Sequence, residues 1–173
     1  MLHLVRHGRP LMMADRGADD WALDPAGYDD VVALRDSGRL PIGARWYTSP
    51  EPKAITTARL LHLGRLTVAP PLHEQRRGVQ WIEDRAEFRA AVVRAFAAPD
   101  ASASPGWEPL AATRERVVPA VRRLLAAEGD SDLVLVGHGT AWTLVVAGLT
   151  GSAPDLAAWD GLGFPGLLSV DVT

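Results

Sequence analysis

The chain has 173 residues and no cysteine, and its 18 Lys and Arg against 21 Asp and Glu leave a formal charge of −3. A hydrophobic content of 47% with 23% charged residues excludes wholesale disorder and fits one globular domain over residues 1–173. The mild negative charge argues against a nucleic-acid partner gripped through phosphate neutralisation, and the missing cysteines exclude disulfides, a thiol nucleophile and thiolate zinc sites. The longest apolar stretch, Ala141 to Leu149, is about half of the roughly 20 residues a bilayer crossing needs. Arg6 and His7 arrive too early for a signal peptide, so a cytoplasmic protein with no membrane partner is expected.

In chain order, residues 2–6 (LHLVR) read as a short strand that meets a turn at Gly8. Residues 15–22 are charged and loop-like. Asp24 is then placed to cap a helix that opens at Pro25, carries Val31, Val32 and Leu34 on its apolar side, and stops at Ser37-Gly38. Residues 44–48 form a second strand candidate. Ser49-Pro50-Glu51-Pro52 starts a helix over about 51–63, with Ala54, Ile55, Ala58 and Leu61 at helical spacing. Residues 66–69 suit a brief strand, and Glu83 to Ala98 is helical.

Residues 98–106 (APDASASPG) are small and Pro-rich, a candidate mobile loop. A long helix is expected over 109–128, with Val117, Val121, Leu124 and Leu125 toward the core. Asp132 to Val136 has the continuous apolar character of a buried parallel strand and ends at Gly137-His138-Gly139. A helix over 140–149 and a last strand from Gly166 to Val172 complete the pattern. Strands alternating with helices indicate an α/β domain with a mostly parallel central sheet and helices on both faces, a three-layer sandwich whose last strand runs antiparallel.

Two histidines occupy equivalent places, each after a strand and before a glycine: His7-Gly8 and His138-Gly139. In open α/β sheets ligands bind beyond the carboxyl ends of the strands, so neighbouring strands would bring both imidazoles into one crevice. Imidazole serves as nucleophile, acid–base or metal ligand, and spacing alone does not choose among these. Arg6 adjoins His7, and Lys53 lies in the first turns of a helix with a Ser-Pro start, itself a natural anion site. Two histidines with Arg and Lys at strand ends suggest a phosphoryl pocket, whereas a metal site would want carboxylates close to the histidines. His3 reads as a core or surface residue of its strand and His62 as a helix-face residue, while His73 stays undecided beside Glu74. The tryptophans at 21, 46, 81, 107, 142 and 159 read as core, with Trp81 and Trp107 in segments able to line a pocket.

These stations resemble a known family. Leu4-Val5-Arg6-His7-Gly8 resembles the Arg-His-Gly signature of the histidine phosphatase superfamily, the phosphoglycerate mutase-like family. Leu23 to Gly27 resembles its Leu-Thr-x-x-Gly segment, with Asp24 in place of Thr. Ser49-Pro50-x-x-Lys53-Ala54-x-x-Thr57-Ala58 resembles its Ser-Pro-x-x-Arg-Ala-x-x-Thr-Ala helix start. Leu72-x-Glu74-x-x-x-Gly78 resembles its Leu-x-Glu-x-x-x-Gly block, and Val134 to Gly139 resembles the strand with the second histidine. Gly106-Trp107-Glu108 followed by Arg116-Val117 weakly resembles the Gly-Glu-Ser helix start.

The resemblance implies a phosphoglycerate mutase-like fold and a phosphatase acting on a small phosphorylated substrate. His7 would be the nucleophile and Glu74 the general acid and base. Arg6, Lys53, His138 and Gly139 would bind the phosphoryl group, with no metal or other cofactor required. Lys53 stands where the family has Arg, so charge is kept but the planar fork is lost, and Arg76 or Arg77 are candidates to compensate. Arg9-Pro10 replaces the polar pair that often follows the glycine. A phosphoglycerate mutase is the alternative within the family, although its members are longer around the site. A phosphate-ligand binding or regulatory protein is the alternative outside enzymes.

Overall fold

The computed structural model describes residues 1–79 and 82–171. Its five strands are β1 (Leu2–Arg6), β2 (Arg45–Thr48), β3 (Leu66–Val68), β4 (Leu133–Gly137) and β5 (Gly166–Val170). They form one sheet in the order β3-β2-β4-β1-β5, in which only β5 runs antiparallel. The helices are α1 (Tyr28–Asp36), α2 (Pro52–Leu61), α3 (Arg85–Ala97), α4 (Leu110–Glu128), α5 (Gly139–Thr150) and α6 (Leu156–Gly161).

Alternation along each strand sorts side chains onto two faces. Leu2, Leu4, Leu133 and Leu135 pack with Val117 and Val121 of α4 and Trp142 and Val145 of α5. Val5, Trp46, Val134 and Val136 face the other way, onto Val31 and Leu34 of α1 and Ala54, Ala58 and Leu61 of α2. Every residue of β4 is buried, because the strand is central and covered by helices on both faces. Each fully buried Val or Leu there contributes about 1.5–3 kcal/mol relative to exposure. An aspartate at Val134 would break this arrangement by placing a charge in the layer against α1 and α2.

The anticipated elements are present with small shifts. Asp24 accepts from the Ala26 amide at 2.9 Å and opens a 3₁₀ turn, Pro25–Gly27, that leads into α1. The 98–106 segment is stitched by Ser102, whose hydroxyl donates to the carbonyls of Ser104 and Trp107, and by a bond from the Ala111 amide to the Pro99 carbonyl. β5 ends at Val170, and Val172 lies outside the described residues, as does Trp81. The short α6 was not anticipated. Its signal is Asp155, whose side chain caps the Ala158 amide at 2.9 Å, and it carries the buried Trp159. No helix among the described residues is long and apolar enough to cross a membrane.

Candidate active site

β1 and β4 are parallel neighbours, with Arg6 opposite Gly137, so the residues that follow them leave the sheet at the same end. The His7 amide continues the ladder to the Gly137 carbonyl at 2.9 Å. The His7 and His138 rings meet edge to face with centroids 5.2 Å apart, and only 6% and 1% of these residues are exposed. Adjacent parallel strands therefore bring together what sequence separates by 131 positions.

His7 Nδ1 lies 2.7 Å from the Gly8 carbonyl, an acceptor, so this nitrogen carries the proton and Nε2 keeps its lone pair. Burial holds the His7 imidazole well below its ordinary titration range, and neighbouring His138 and Lys53 push the same way. A neutral ring with a free Nε2 is the state a nucleophile needs. Gly8 permits the tight packing beneath it: a Cβ there would meet Val31 Cγ2 at 2.7 Å and Leu23 Cδ1 at 2.9 Å. Its amide donates to Thr57 Oγ1 at 3.0 Å, and that hydroxyl donates to the Lys53 carbonyl at 2.7 Å. The start of α2 is thereby tied to the end of β1.

Arg6 donates to the Leu162 carbonyl and lies 3.6 Å over the Phe164 ring. Burial lowers its pKa to about 10, so it stays a cation at neutral pH. Gly139 lies against this guanidinium: a Cβ there would stand 3.4 Å from Arg6 Nε, an ordinary van der Waals contact. His138 Nε2 lies 2.7 Å from Ser49 Oγ and 3.2 Å from Glu51 Oε1. Arg6 Nε and His138 Nδ1 are both buried without a hydrogen-bond partner. Such atoms are rare in folded proteins; Arg6 Nε is a donor without an acceptor, and His138 Nδ1 is a donor or an acceptor according to the ring's tautomer.

Glu74 occupies the positive end of α5, where its carboxylate accepts from the amides of Thr140 and Ala141, both at 3.1 Å, and from Gln75 at 2.9 Å. Arg116 holds the preceding turn in place, donating to the carbonyls of Pro71, His73 and Glu74 and to Glu108 Oε1. Lys53 is 4% exposed, and its ammonium donates to the Glu51 carboxylate and to the Ala18 carbonyl. Of the two arginines considered as compensation, Arg76 is exposed. Arg77 donates to Thr140 Oγ1 at 2.9 Å and lies over the rings of Trp107 and Phe88, at 4.7 and 5.0 Å.

The site thus gathers Arg6, His7, Lys53, Glu74, His138 and Gly139. Sequence reasoning missed Glu51, Ser49 and Phe164. Glu51 brings a carboxylate to 3.2 Å from His138. Ser49-Pro50-Glu51-Pro52-Lys53 carries no signal of it, since an acid before a helix reads as an ordinary solvated residue. Among the described residues no group of three or more His, Asp or Glu is arranged to hold a metal ion.

A model of the histidine phosphatase superfamily (branch 1) matches residues 2–166. The chain belongs to this superfamily. Among solved structures it is similar to Bacillus stearothermophilus YhfR, at 23% identity and a TM-score of 0.73, covering 98% of this chain and 91% of that one. It is also similar to a mycobacterial glucosyl-3-phosphoglycerate phosphatase in complex with inorganic phosphate, at 25% identity and 0.70, covering 97% and 88%. A phosphoserine phosphatase from Entamoeba histolytica matches at 20% identity and 0.71, covering 96% and 87%. A search of curated proteins found no match. The superfamily and these phosphatase neighbours support an enzyme of the histidine phosphatase type on the phosphoglycerate mutase-like fold.

Proposed function

We propose that this chain, as one cytoplasmic domain, hydrolyses a small phosphomonoester through a phosphohistidine on His7. The observation that carries the reading is the free Nε2 of a neutral His7 beside two buried, unpartnered nitrogens, Arg6 Nε and His138 Nδ1. Phosphate oxygens are acceptors that Arg6 Nε lacks, and that His138 Nδ1 can bind when it carries a proton. In the first step His7 Nε2 forms a bond to phosphorus as the ester P–O bond breaks, and Glu74 gives the departing oxygen its proton. In the second step Glu74 takes a proton from water, whose oxygen attacks the phosphohistidine, releasing phosphate and His7. Arg6 and His138 stabilise the charge on the transferring group, and Lys53 adds to the positive field. Gly139, beside Arg6 at the start of α5, lines the same place.

Purified protein screened against phosphorylated metabolites and an aryl phosphate tests this reading, with a trapped adduct expected to be acid-labile, base-stable and located on His7. Phosphate release without an adduct on His7 overturns the mechanism. Anion binding with no release favours a phosphate-binding protein, a reading supported by the ion pair that takes up the Lys53 charge. Transfer between phosphoglycerates in place of hydrolysis would identify a mutase.

A further inference from the structure

Glu51 is a buried carboxylate that the phosphatase chemistry above does not use. It is 5% exposed, it pairs with Lys53, and its Oε1 accepts from the Glu74 amide at 2.7 Å. The same Oε1 stands 3.2 Å from His138 Nε2, which also lies 2.7 Å from Ser49 Oγ. The carboxylate oxygen is an acceptor and the Ser49 hydroxyl can act as either donor or acceptor, so the neighbouring negative charge favours the tautomer whose proton sits on Nε2 and donates to Ser49 Oγ. A neutral imidazole has one proton only. While it sits on Nε2, the unpartnered Nδ1 is itself an acceptor and repels a phosphate oxygen.

We propose that anion binding at this site is coupled to uptake of one proton by His138, with Glu51 as the positioning residue that holds the first proton on Nε2 and stabilises the imidazolium that forms. The second proton comes from solvent and lands on Nδ1, which then donates to the phosphoryl oxygen. No bond other than N–H is made in this step. The inference rests on the phosphate-site reading above.

The charges around His138 set the direction. Lys53, Arg77 and His73 oppose a positive imidazole and Glu74 favours it, while burial is the largest influence and favours the neutral ring. Glu51 adds a negative neighbour at Nε2 and His7 a neutral one at the ring edge. A tetrahedral dianion arriving against Nδ1 supplies the negative charge that reverses this balance.

Tungstate is a suitable probe because it remains a dianion from neutral to alkaline pH. Titration calorimetry at pH 8 in buffers of different ionisation enthalpy is expected to show about one proton taken up per tungstate bound. Affinity then falls by about tenfold per pH unit above neutrality. In Glu51→Gln the side-chain amide donates to Nε2, the ring proton moves to Nδ1, and both the uptake and the pH slope are expected to fall by at least about half. Nitrogen chemical shifts of labelled histidine in the wild type supply a readout independent of that variant: His138 is expected to pass from singly to doubly protonated on adding tungstate. Tungstate binding without proton uptake, or with His138 unchanged, overturns this proposal and leaves the phosphate site standing. No tungstate binding overturns the phosphate site and this proposal together.

Discussion

The two sides of the pocket treat their charges differently. On the strand side, Arg6 and His138 end β1 and β4 with nitrogens that are buried and unpartnered. On the helix side, Lys53 at the start of α2 is closed into an ion pair with Glu51 and a bond to the Ala18 carbonyl. Unmet hydrogen-bonding capacity is kept only where a ligand or water satisfies it, whereas a paired charge is part of the fold. In the proposed reading the strand side meets the ligand, and the helix side holds the strand side in position.

The sharpest way to break this contrast is at the strand side. His7→Ala is expected to lower kcat/KM on the order of 10⁴-fold or more, with the melting temperature maintained, because binding energy does not replace a nucleophile. Steady-state kinetics with thermal unfolding checks it, and an active alanine variant refutes the assignment.

Glu74 sits between the two sides, receiving two amides of α5 while its own amide donates to Glu51. Glu74→Gln is expected to cost about 10²- to 10⁴-fold on an alkyl phosphate, whose leaving oxygen needs a proton. An aryl phosphate with a good leaving group should lose much less. Equal losses on both substrates count against Glu74 as the proton donor.

On the helix side the expected effect is divided between activity and stability. Lys53→Ala removes a charge-assisted contact worth roughly 1.5–3 kcal/mol, or about one to two powers of ten in kcat/KM if the ammonium reaches the phosphoryl group. It also leaves the buried Glu51 carboxylate without its cation, a loss of about 3–5 kcal/mol where such a pair is broken from one side. Denaturant unfolding should show recovery of stability in Lys53→Ala/Glu51→Gln, with activity still below that of Glu51→Gln alone. If the double variant is as active as Glu51→Gln, the role of Lys53 is structural. Lys53→Arg should keep activity if the pocket accepts the planar fork.

The smallest expected effect is a pH dependence of stability in the free protein. His7 and His138 both have folded pKa values depressed by burial below the ordinary 6.5. The unfolded chain then binds more protons as the pH falls below about 6.5, so stability is full above that value and declines beneath it. The decline is up to about 1.4 kcal/mol per pH unit for each histidine and stops once the pH is below the folded pKa. Melting temperatures from pH 7.5 to 5 should show this slope, and His138→Asn should reduce it. A flat profile would mean that neither ring is held neutral.

The strand-end motifs were readable because they are local. The turn glycine, the histidine and the preceding arginine lie within three residues, and the apolar run of β4 declares a buried strand. The capped start of α1 was equally plain, since Asp24 acts over two residues. Glu51 was not readable, because a glutamate before a helix is an ordinary solvated cap until a partner far away in sequence covers it. Its partners come from residues 74 and 138 as well as from Lys53. The surroundings of Lys53 were unreadable for the same reason: one of its partners, the Ala18 carbonyl, lies 35 residues away.

By itself, then, the sequence determined the alternation of strands and helices, the family, and which side chains stand at the strand ends. Those properties follow from periodicities and turn chemistry that act within a few residues. The tertiary structure decided which nitrogens of Arg6 and His138 are left without partners, which arginine of the Arg76-Arg77 pair turns inward, and that a carboxylate faces the second histidine. These are matters of burial and pairing between segments, and a buried charge is compensated by whatever the fold brings within about 4 Å, at any distance along the chain.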